Sequence, residues 1–507
     1  MRLKRLLESS GEKTPSDHGE AEIRGIAYDS RKVEPGFLFV ALRGHALDGH
    51  AFIGNAVENG AAAVVGEDIG RIESGVPAVK VRDSRAALSR LGAAFYGRPF
   101  EGMRIIGITG TNGKTTTSYF LESIFRAGGG EPGVIGTIEY RFGNTRLPAP
   151  VTTPESLDLM RILREMADSG VTHAVMEVSS HALDQERVRG CPFDMAVFTN
   201  ISRDHLDYHA SMADYFRAKS RLFTGLADQA PNRPAVAVIN MDDPKGRELV
   251  RLTRAEIVTY GLSQDCHVRA DRIEADRDGL RARLLTPEGS VPIRASLVGR
   301  FNVYNILGAA ASALKMGIDL DTIARGIASL PGVPGRMQRV AGRGDVDMVI
   351  DYAHTPEALT KALEALRPLT RGRLMTVFGC GGDRDRGKRR DMGLAAGTLS
   401  DVVFVTSDNP RTEDPDAIMS GIEAGVREAG LEKIAFPPSN GSAVSGYVME
   451  PDRAAAIHGA VSTARGEDLI LIAGKGHEDY QIIGTEKRHF DDREAAERAV
   501  QALGGNA

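Results

Sequence analysis

The sequence predicts an α/β protein of three domains, with a mostly parallel sheet in the central one and a doubly wound, Rossmann-like sheet in the last. Three observations predict this. At 507 residues the chain holds about three domains of roughly 150 residues each. Apolar runs of five to eight residues alternate with helix-period segments, the pattern of strands buried on both faces. One such run, residues 104–109, leads directly into Gly110-Thr111-Asn112-Gly113-Lys114-Thr115-Thr116, a strand, a glycine-rich turn and the start of a helix.

The first segment, residues 1–99, alternates short strands (36–42, 61–66) with helices (50–60, 84–96), and residues 99–102, Pro-Phe-Glu-Gly, read as a linker. The central segment, 100–333, has expected strands at 104–109, 173–178, 195–199 and 235–240. Residues 266–298 change character: charged and apolar residues alternate around Asp278-Gly279 and Glu288-Gly289, which predicts antiparallel hairpins. Pro331-Gly332-Val333-Pro334-Gly335 breaks the pattern and marks the second boundary. The last segment, 334–507, has expected strands at 346–352, 373–379, 401–406 and 468–473 with helices between. Ligands of such sheets bind beyond the carboxyl ends of the strands, where Asp351 to His354, Gly379 to Arg390, Ser407 to Arg411 and Gly474 to Glu478 fall.

Composition excludes several classes of function. Hydrophobic residues make up 42% and charged residues 26%, ordinary for a globular protein. A net charge of −5 carries no basic footprint for nucleic acid. The three cysteines, Cys191, Cys266 and Cys380, are far apart and odd in number, against a disulfide framework or zinc site and in keeping with a reducing cytosol. The N-terminal stretch turns polar at once and lacks the apolar core of a signal peptide, and no run of 18 apolar residues spans a bilayer. A cytoplasmic monomer that neither enters membranes nor binds nucleic acid is expected.

The glycine-rich turn is a P-loop-type phosphate cradle. Glycines let backbone N–H groups approach phosphate oxygens, and the helix N-terminus adds partial positive charge. Lys114 reaches the terminal phosphates and the Thr115 hydroxyl is placed to ligate Mg²⁺. The loop is a variant: strict Walker spacing puts glycine where this chain has Ile108, and Gly110 stands three before Gly113 instead. Glu177, in Met176-Glu177-Val178-Ser179-Ser180-His181, closes an expected strand, so its carboxylate emerges near the loop as an oxygen ligand suited to Mg²⁺. Asn200 to His209 follows another strand end, and His205 there is a candidate metal or phosphate contact.

Together these motifs resemble the Mur ligases of bacterial cell-wall synthesis. The resemblance rests on Gly-Thr-Asn-Gly-Lys-Thr-Thr, Glu-Val-Ser-Ser-His, Asp204-His205-Leu206-Asp207-Tyr208-His209 and Tyr215-Phe216-x-x-Lys219. It continues in order through Gly299 to Asn305, Gly335-Arg336-Met337, Asp351 to Pro356 and Gly379 to Arg390, essentially the whole chain. It implies ATP-dependent amide-bond formation through an acyl phosphate, serving peptidoglycan synthesis and through it cell shape and division. A carboxylate attacking a triphosphate meets like-charge repulsion, so cations and fixed donors must surround the phosphoryl oxygens.

The resemblance also implies roles for particular residues. Lys219 is similar to the family's carbamylated lysine, whose CO₂-derived carbamate is an anionic ligand for a second Mg²⁺ near His205. Asn305 resembles an adenine contact, and Arg336 and Asp351, with His354 beside them, contacts to the nucleotide from the third domain. Ser30 and the Asp48-Gly49-His50 turn match the UDP-sugar end of the acceptor, with residues 1–99 as its binding domain. Thr152, Thr153, Ser179, Gln185 and Arg187 resemble contacts to the muramoyl-dipeptide, although Val151 stands where the family often has Asn. Asp408-Asn409-Pro410-Arg411 resembles the recognition motif of members that add meso-diaminopimelate.

Physical reasoning extends to that pocket. Meso-diaminopimelate is lysine with an extra carboxylate, and choosing it requires a paired cation; Arg411 and Arg384 fit, with Glu478 for an ammonium and Gly474 giving backbone access. Lysine would leave a buried Arg411 unpaired, at about 3–5 kcal/mol. Arg384, Arg386, Lys388, Arg389 and Arg390 also read as a solvated basic loop. A folylpolyglutamate synthetase, a relative with a similar central domain, is the competing enzyme; it has no use for Asp29-Ser30-Arg31 or Asp-Asn-Pro-Arg.

Overall fold

The structure is a computed structural model that describes residues 1–12, 20–44, 47–70, 72, 75–229, 235–342, 344, 346–436 and 445–504. Three main sheets follow one another along the chain. The first has four parallel strands, Gly25–Ala27, Phe37–Val40, Ala63–Gly66 and Ala78–Lys80, in that order. The helix Ser84–Phe95, N-capped by the Asp83 carboxylate accepting from the Ala86 N–H, buries Leu88 and Leu91 against this sheet.

The central sheet has eight strands. Arg104–Thr109 lies in its middle, flanked by Met195–Phe198 and His173–Glu177, both parallel to it. Val236–Asn240 and Glu256–Tyr260 extend one side; Pro132–Ile135 and the antiparallel pair Glu139–Phe142 and Thr145–Pro148 extend the other. Alternate residues of Arg104–Thr109 face opposite cores. Ile106 and Ile108 pack on Phe120 and Ile124 of the helix Lys114–Ala127 and on Ile306 of Asn302–Lys315. Ile105 packs with Leu163 of Ser156–Asp168 and Phe223 of Met212–Thr224 on the other face. Burial on both faces is why the strand reads as a continuous apolar run. Residues 266–298 form the antiparallel sheet Arg269–Asp276, Gly279–Thr286 and Gly289–Ala295, turning at the two Gly positions.

The third main sheet has six strands. Asp347–Asp351, Leu469–Ala473, Leu374–Phe378, Val402–Val405 and Gly446–Met449 are parallel, and Gln338–Val340 is an antiparallel edge. The strand arriving last, Leu469–Ala473, inserts between Asp347–Asp351 and Leu374–Phe378. All four polar clusters named from the sequence therefore leave the same end of one sheet.

Three details differ from expectation. Residues 99–102 are not a free linker but a 3-10 turn that packs on the helix Ser156–Asp168, with Phe100 against the second core. The strand Pro132–Ile135 and the hairpin Tyr480–Ile483/Glu486–His489 were not foreseen. The first is too short for periodicity, and of the second only Tyr480, Ile482 and Ile483 carry apolar side chains, half-buried to exposed, while Glu486–His489 is polar and exposed.

Candidate active site

A cavity of about 920 Å³ lies between the phosphate loop, the central sheet and the third sheet. The loop owes its shape to two glycines. Gly110 sits at φ 148°, where a Cβ would fall 1.9 Å from the Thr199 hydroxyl; Gly113 sits at φ 88°, where one would fall 2.3 Å from the Asn305 Oδ1. The neighbouring strand's end braces the turn. The Asn112 N–H donates to Asn200 Oδ1 (3.0 Å), and the Asn112 carbonyl accepts from Thr199 Oγ1 (2.7 Å) and Asn200 Nδ2 (3.1 Å). Lys114 folds back over the loop, its Nζ donating to the Gly110 and Thr111 carbonyls at 2.9 Å each. Burial pushes the Lys114 pKa down, with Glu177 and Asp204 working against that shift.

Glu177 is the hub. It is 1% exposed. Its Oε2 accepts from Thr115 Oγ1 and from Thr137 Oγ1, both at 2.9 Å, and its Oε1 from the Thr137 N–H at 3.0 Å. Thr153 Oγ1 donates to the Glu177 carbonyl (2.8 Å) and accepts from the Ser179 N–H (3.0 Å). Arg336 of the third segment donates to Thr115 Oγ1 (3.2 Å) and stacks over Tyr352. Its Nε is buried without a hydrogen-bond partner, an unfilled donor at a phosphate-shaped site. Asp351 receives the Met337 N–H at 2.7 Å; burial raises its pKa while Arg336 opposes this.

Lys219 is 1% exposed on the helix Met212–Thr224, and its Nζ donates to the Gly110 carbonyl at 2.9 Å. Burial, reinforced by Lys114, drives its pKa well below the lysine range, which favours the uncharged amine. His205 (φ 54°) stands beside it, its ring edge-on to His181 at 4.8 Å. Burial depresses both imidazoles to about 4. Asp204, against the effect of its burial, is held below its ordinary value by His205 and His354.

An oxygen-rich donor set suits a hard cation: one carboxylate and one hydroxyl leave the remaining positions to phosphates and water. Among the described residues no three His, Cys, Asp or Glu side chains form a self-sufficient metal cage. Glu177 and Thr115 therefore fit Mg²⁺ brought with a nucleotide.

The acceptor-side residues form a chain running outward from Glu177. Thr152 Oγ1 lies 3.2 Å from Thr137 Oγ1; Ser179 caps its helix at the Ala182 N–H (3.1 Å). Arg187 donates to the Thr153 carbonyl (3.1 Å) and, through Nη2, to Gln185 Oε1 (2.7 Å). Gln185 in turn donates to the Tyr208 hydroxyl (3.2 Å). Ser30 and His50 lie in the 3-10 turns Ser30–Lys32 and Gly49–Phe52 beside the first sheet and do not line this cavity. His50 Nε2 accepts from the Glu67 N–H (3.0 Å), so Nδ1 carries the proton and donates to Asp48 (2.6 Å). The ring thus holds a turn together.

Side chains of both signs gather beyond the third sheet's strand ends; of the residues expected to bind the amino acid, Arg384 lines the cavity and Asp408, Asn409, Pro410, Arg411, Gly474 and Glu478 do not. Arg411 (φ 52°) donates to the Gly382 carbonyl (2.8 Å) and is only half-buried, so it is not the isolated buried cation the sequence suggested. The stated penalty for lysine is correspondingly an upper bound. Arg384 is exposed; it and Arg411 both approach Gly381. Asn409 donates to Glu478 Oε2 (2.9 Å), and a Cβ on Gly474 would fall 2.6 Å from Asp408 Oδ2. Pro410 adjoins the isolated bridge from Arg411 to Ile483 of the hairpin. Beneath lies a wholly buried pair: Arg453 Nε and Nη2 donate to Asp492 (2.7 and 2.8 Å), and Nη2 also to the Ala473 carbonyl (2.9 Å). The basic run is largely structural: Arg389 pairs with Glu413 (2.9 Å), Arg390 with Glu428, and Lys388 donates to the His354 carbonyl (2.8 Å).

Sequence reasoning did not single out Thr137, Thr199, Lys475, Tyr352 or the Arg453–Asp492 pair. Asn200 carried the one usable signal, a polar amide directly after an apolar strand. Asn302 and Asn305 lie in the first turn of the helix Asn302–Lys315; Asn302 donates to the Val298 carbonyl (2.8 Å) and Asn305 to Asn302 Oδ1 (2.8 Å).

A glycine-rich phosphate loop met by a cation from the third segment marks a nucleotide-dependent enzyme. The chain belongs to the Mur ligase family. Residues 22–96 match the family's catalytic domain, 108–313 the Mur ligase middle domain and 335–476 the glutamate ligase domain. A UDP-N-acetylmuramoyl-L-alanyl-D-glutamate–2,6-diaminopimelate ligase of Geobacter metallireducens is 50% identical, the alignment covering 96% of this chain and 97% of the relative. One of the same description from Bacillus velezensis is 44% identical over 99% of each chain. A solved structure of a ligase of this description matches with TM-score 0.70 and 33% identity, covering 100% of both chains. A Mycobacterium tuberculosis folylpolyglutamate synthase complexed with ADP shares the fold at TM-score 0.62 and 21% identity, over 83% of this chain.

Proposed function

We propose that this chain is an ATP-dependent ligase that adds meso-2,6-diaminopimelate to UDP-N-acetylmuramoyl-L-alanyl-D-glutamate, releasing ADP and phosphate. It acts in the cytoplasm, as a monomer, in peptidoglycan precursor synthesis. One observation carries the reading: Arg336 of the third segment donates to Thr115 of the phosphate loop across a cavity that Asp351 and Arg384 of the same segment also line, so the third segment reaches the triphosphate site. Residues 1–99 take the UDP-sugar, 100–333 hold ATP, and 334–507 bind the amino acid. Among the described residues no helix is long and apolar enough to cross a membrane, in keeping with this assignment.

The chemistry has two displacements. An oxygen of the acceptor carboxylate attacks the γ-phosphorus and the bond to ADP breaks, leaving an acyl phosphate. The incoming amine then attacks the acyl carbon, loses a proton, and expels phosphate. Lys114, Arg336 and the amides of Gly110 to Thr116 offset charge on the phosphoryl oxygens, and Asn305, Arg336 and Asp351 hold the nucleotide. Arg187, braced by Gln185, faces the acceptor carboxylate end with Thr152, Thr153 and Ser179. Mg²⁺, held by Thr115 and Glu177 with His205 and Lys219 nearby, would supply Lewis-acid neutralisation of the phosphates. Lys219 serves as an anion: its uncharged amine adds to CO₂ and releases a proton, giving a carbamate. Arg411 and Arg384 pair the distal carboxylate of the amino acid, and Glu478 its ammonium.

The test mixes protein, ATP, UDP-muramoyl-dipeptide and each candidate amino acid and weighs the product. A product heavier by one diaminopimelate residue, formed only with ATP, is expected. Equal use of L-lysine overturns the specificity, and ADP release independent of the amino acid overturns the ligase reading.

A further inference from the structure

Lys475 stands between Gly474 and Gly476 just past the strand Leu469–Ala473, and its side chain is completely buried. Its Nζ donates to Glu478 Oε2 and to Asn409 Oδ1, each at 3.3 Å. Glu478 Oε2 also accepts from Asn409 Nδ2 (2.9 Å), so this oxygen has two donors, whereas Oε1 has the longer bond from the Tyr352 hydroxyl (3.4 Å). Asp408 lies against the same turn, beside Gly474. The neighbouring buried cation, Arg453, is neutralised by Asp492. Lys475 is thus the cation paired with Glu478, and Asp408 lies near enough to repel that carboxylate.

We propose that Lys475 is a positioning residue of the amino-acid subsite: it fixes Glu478 through Oε2 and leaves Oε1 to accept from a ligand ammonium. The inference rests on the ligase reading above and adds the residue that organises its amine end. A buried carboxylate that loses its ammonium partner protonates more readily and ceases to attract a cation. Burial and Asp408 already raise the Glu478 pKa, and Lys475 is the main opposing influence.

Steady-state kinetics on the full chain test this. Lys475→Met is expected to raise the KM for diaminopimelate about 10- to 100-fold, the scale of a lost charge-assisted contact, with the KM for ATP within about twofold. That KM should fall again as pH rises from 6 towards 9, as Glu478 ionises, while the wild type stays flat. Glu478→Gln should raise the KM without the pH dependence. The double variant Lys475→Met/Glu478→Gln should match Glu478→Gln alone within about threefold, because Lys475 acts through Glu478. Multiplied effects in the double variant, or a parallel rise in the ATP KM, overturn the proposal. If Lys475→Met does not fold, the double variant, which removes one charge of each sign, decides alone against Glu478→Gln. A wild type that forms no product with diaminopimelate overturns the ligase reading first, before any variant is compared.

Discussion

The phosphate loop and the amino-acid pocket both sit at the carboxyl ends of parallel strands, yet they are built in opposite ways. The loop is one continuous stretch after the strand Arg104–Thr109, and its donors are backbone groups whose direction two glycines and Asn200 fix. The pocket is gathered from residues 379–384, 407–411 and 474–478, and its selectivity lies in side chains of alternating sign. Around the loop cations crowd together: Lys114, Lys219 and Arg336 depress or oppose one another, with Glu177 and Asp204 as counterweights. That arrangement awaits polyanionic phosphate. The pocket residues carry both signs, as the proposed discrimination between ligands that differ by a single carboxylate requires. Loss at the loop should therefore act on kcat, and loss in the pocket on the KM of one substrate.

The hardest test of this contrast is Lys219. Lys219→Ala is expected to lower kcat by about 10³-fold or more, comparable to loss of a principal transition-state contact, while cooperative melting persists. Short carboxylic acids should partly restore it and amines should not; Lys219→Arg should stay inactive, because guanidinium remains protonated. An active Arg variant with no carboxylate rescue would make Lys219 a third phosphate-binding cation and sharpen the contrast in charge.

Arg411 tests the other half. Arg411→Ala should raise the KM for diaminopimelate about 10- to 100-fold, the scale of a charged hydrogen-bond pair, and shrink the preference over L-lysine, with the ATP KM unchanged. Competition assays with both amino acids read this directly. A fall in kcat with constant KM would erase the distinction between the two regions.

The contrast also explains what the sequence made legible. The strand Arg104–Thr109 and the three-stranded sheet 269–295 stand where hydrophobic period placed them, because both depend on local pattern. The loop was readable because its residues are contiguous, although the atoms that require its glycines, Thr199 Oγ1 and Asn305 Oδ1, lie far along the chain. Lys475 was not, because a lysine between glycines reads as a solvated turn and its burial comes from strands more than 60 residues apart in sequence, as in its contact with Asn409 (separation 66). The exposure of Arg411 was misjudged because it depends on where the turn at φ 52° sends the side chain, towards the Gly382 carbonyl, which spacing along the chain does not encode. Thr137 and Asn200 act on Glu177 and the loop across the sheet, a relation that spacing along the chain does not encode.

A smaller effect concerns pH. His181, packed on Tyr208 and His205, has its pKa lowered from 6.5 to about 4, by burial first and His209 next. The native state then binds fewer protons than the unfolded chain, so this contribution is complete above about pH 6.5 and is lost as pH falls towards 4. Melting temperature should drop between pH 7 and 5, and His181→Asn should drop less over that interval. An identical pH slope in the variant would place the acid sensitivity elsewhere, for example in the third sheet's His477, held at about 3.

The mildest expectation concerns Val151, 43% exposed at the cavity wall next to Thr152. Its carbonyl accepts from the Tyr140 hydroxyl at 2.6 Å, so the backbone is held whatever the side chain. Exposure means that replacing valine by asparagine sacrifices little packing and strands no amide in an apolar site. Val151→Asn should therefore fold normally and lower the KM for the UDP-muramoyl-dipeptide by about two- to tenfold, the worth of one neutral hydrogen bond, with kcat and both other KM values unchanged. An unchanged KM would mean that Thr152, Thr153 and Arg187 already satisfy the acceptor, and that the wall beside the loop, like the loop itself, works through its backbone. A raised KM would mean that valine makes an apolar contact there, extending side-chain selection from the amino-acid pocket to the acceptor.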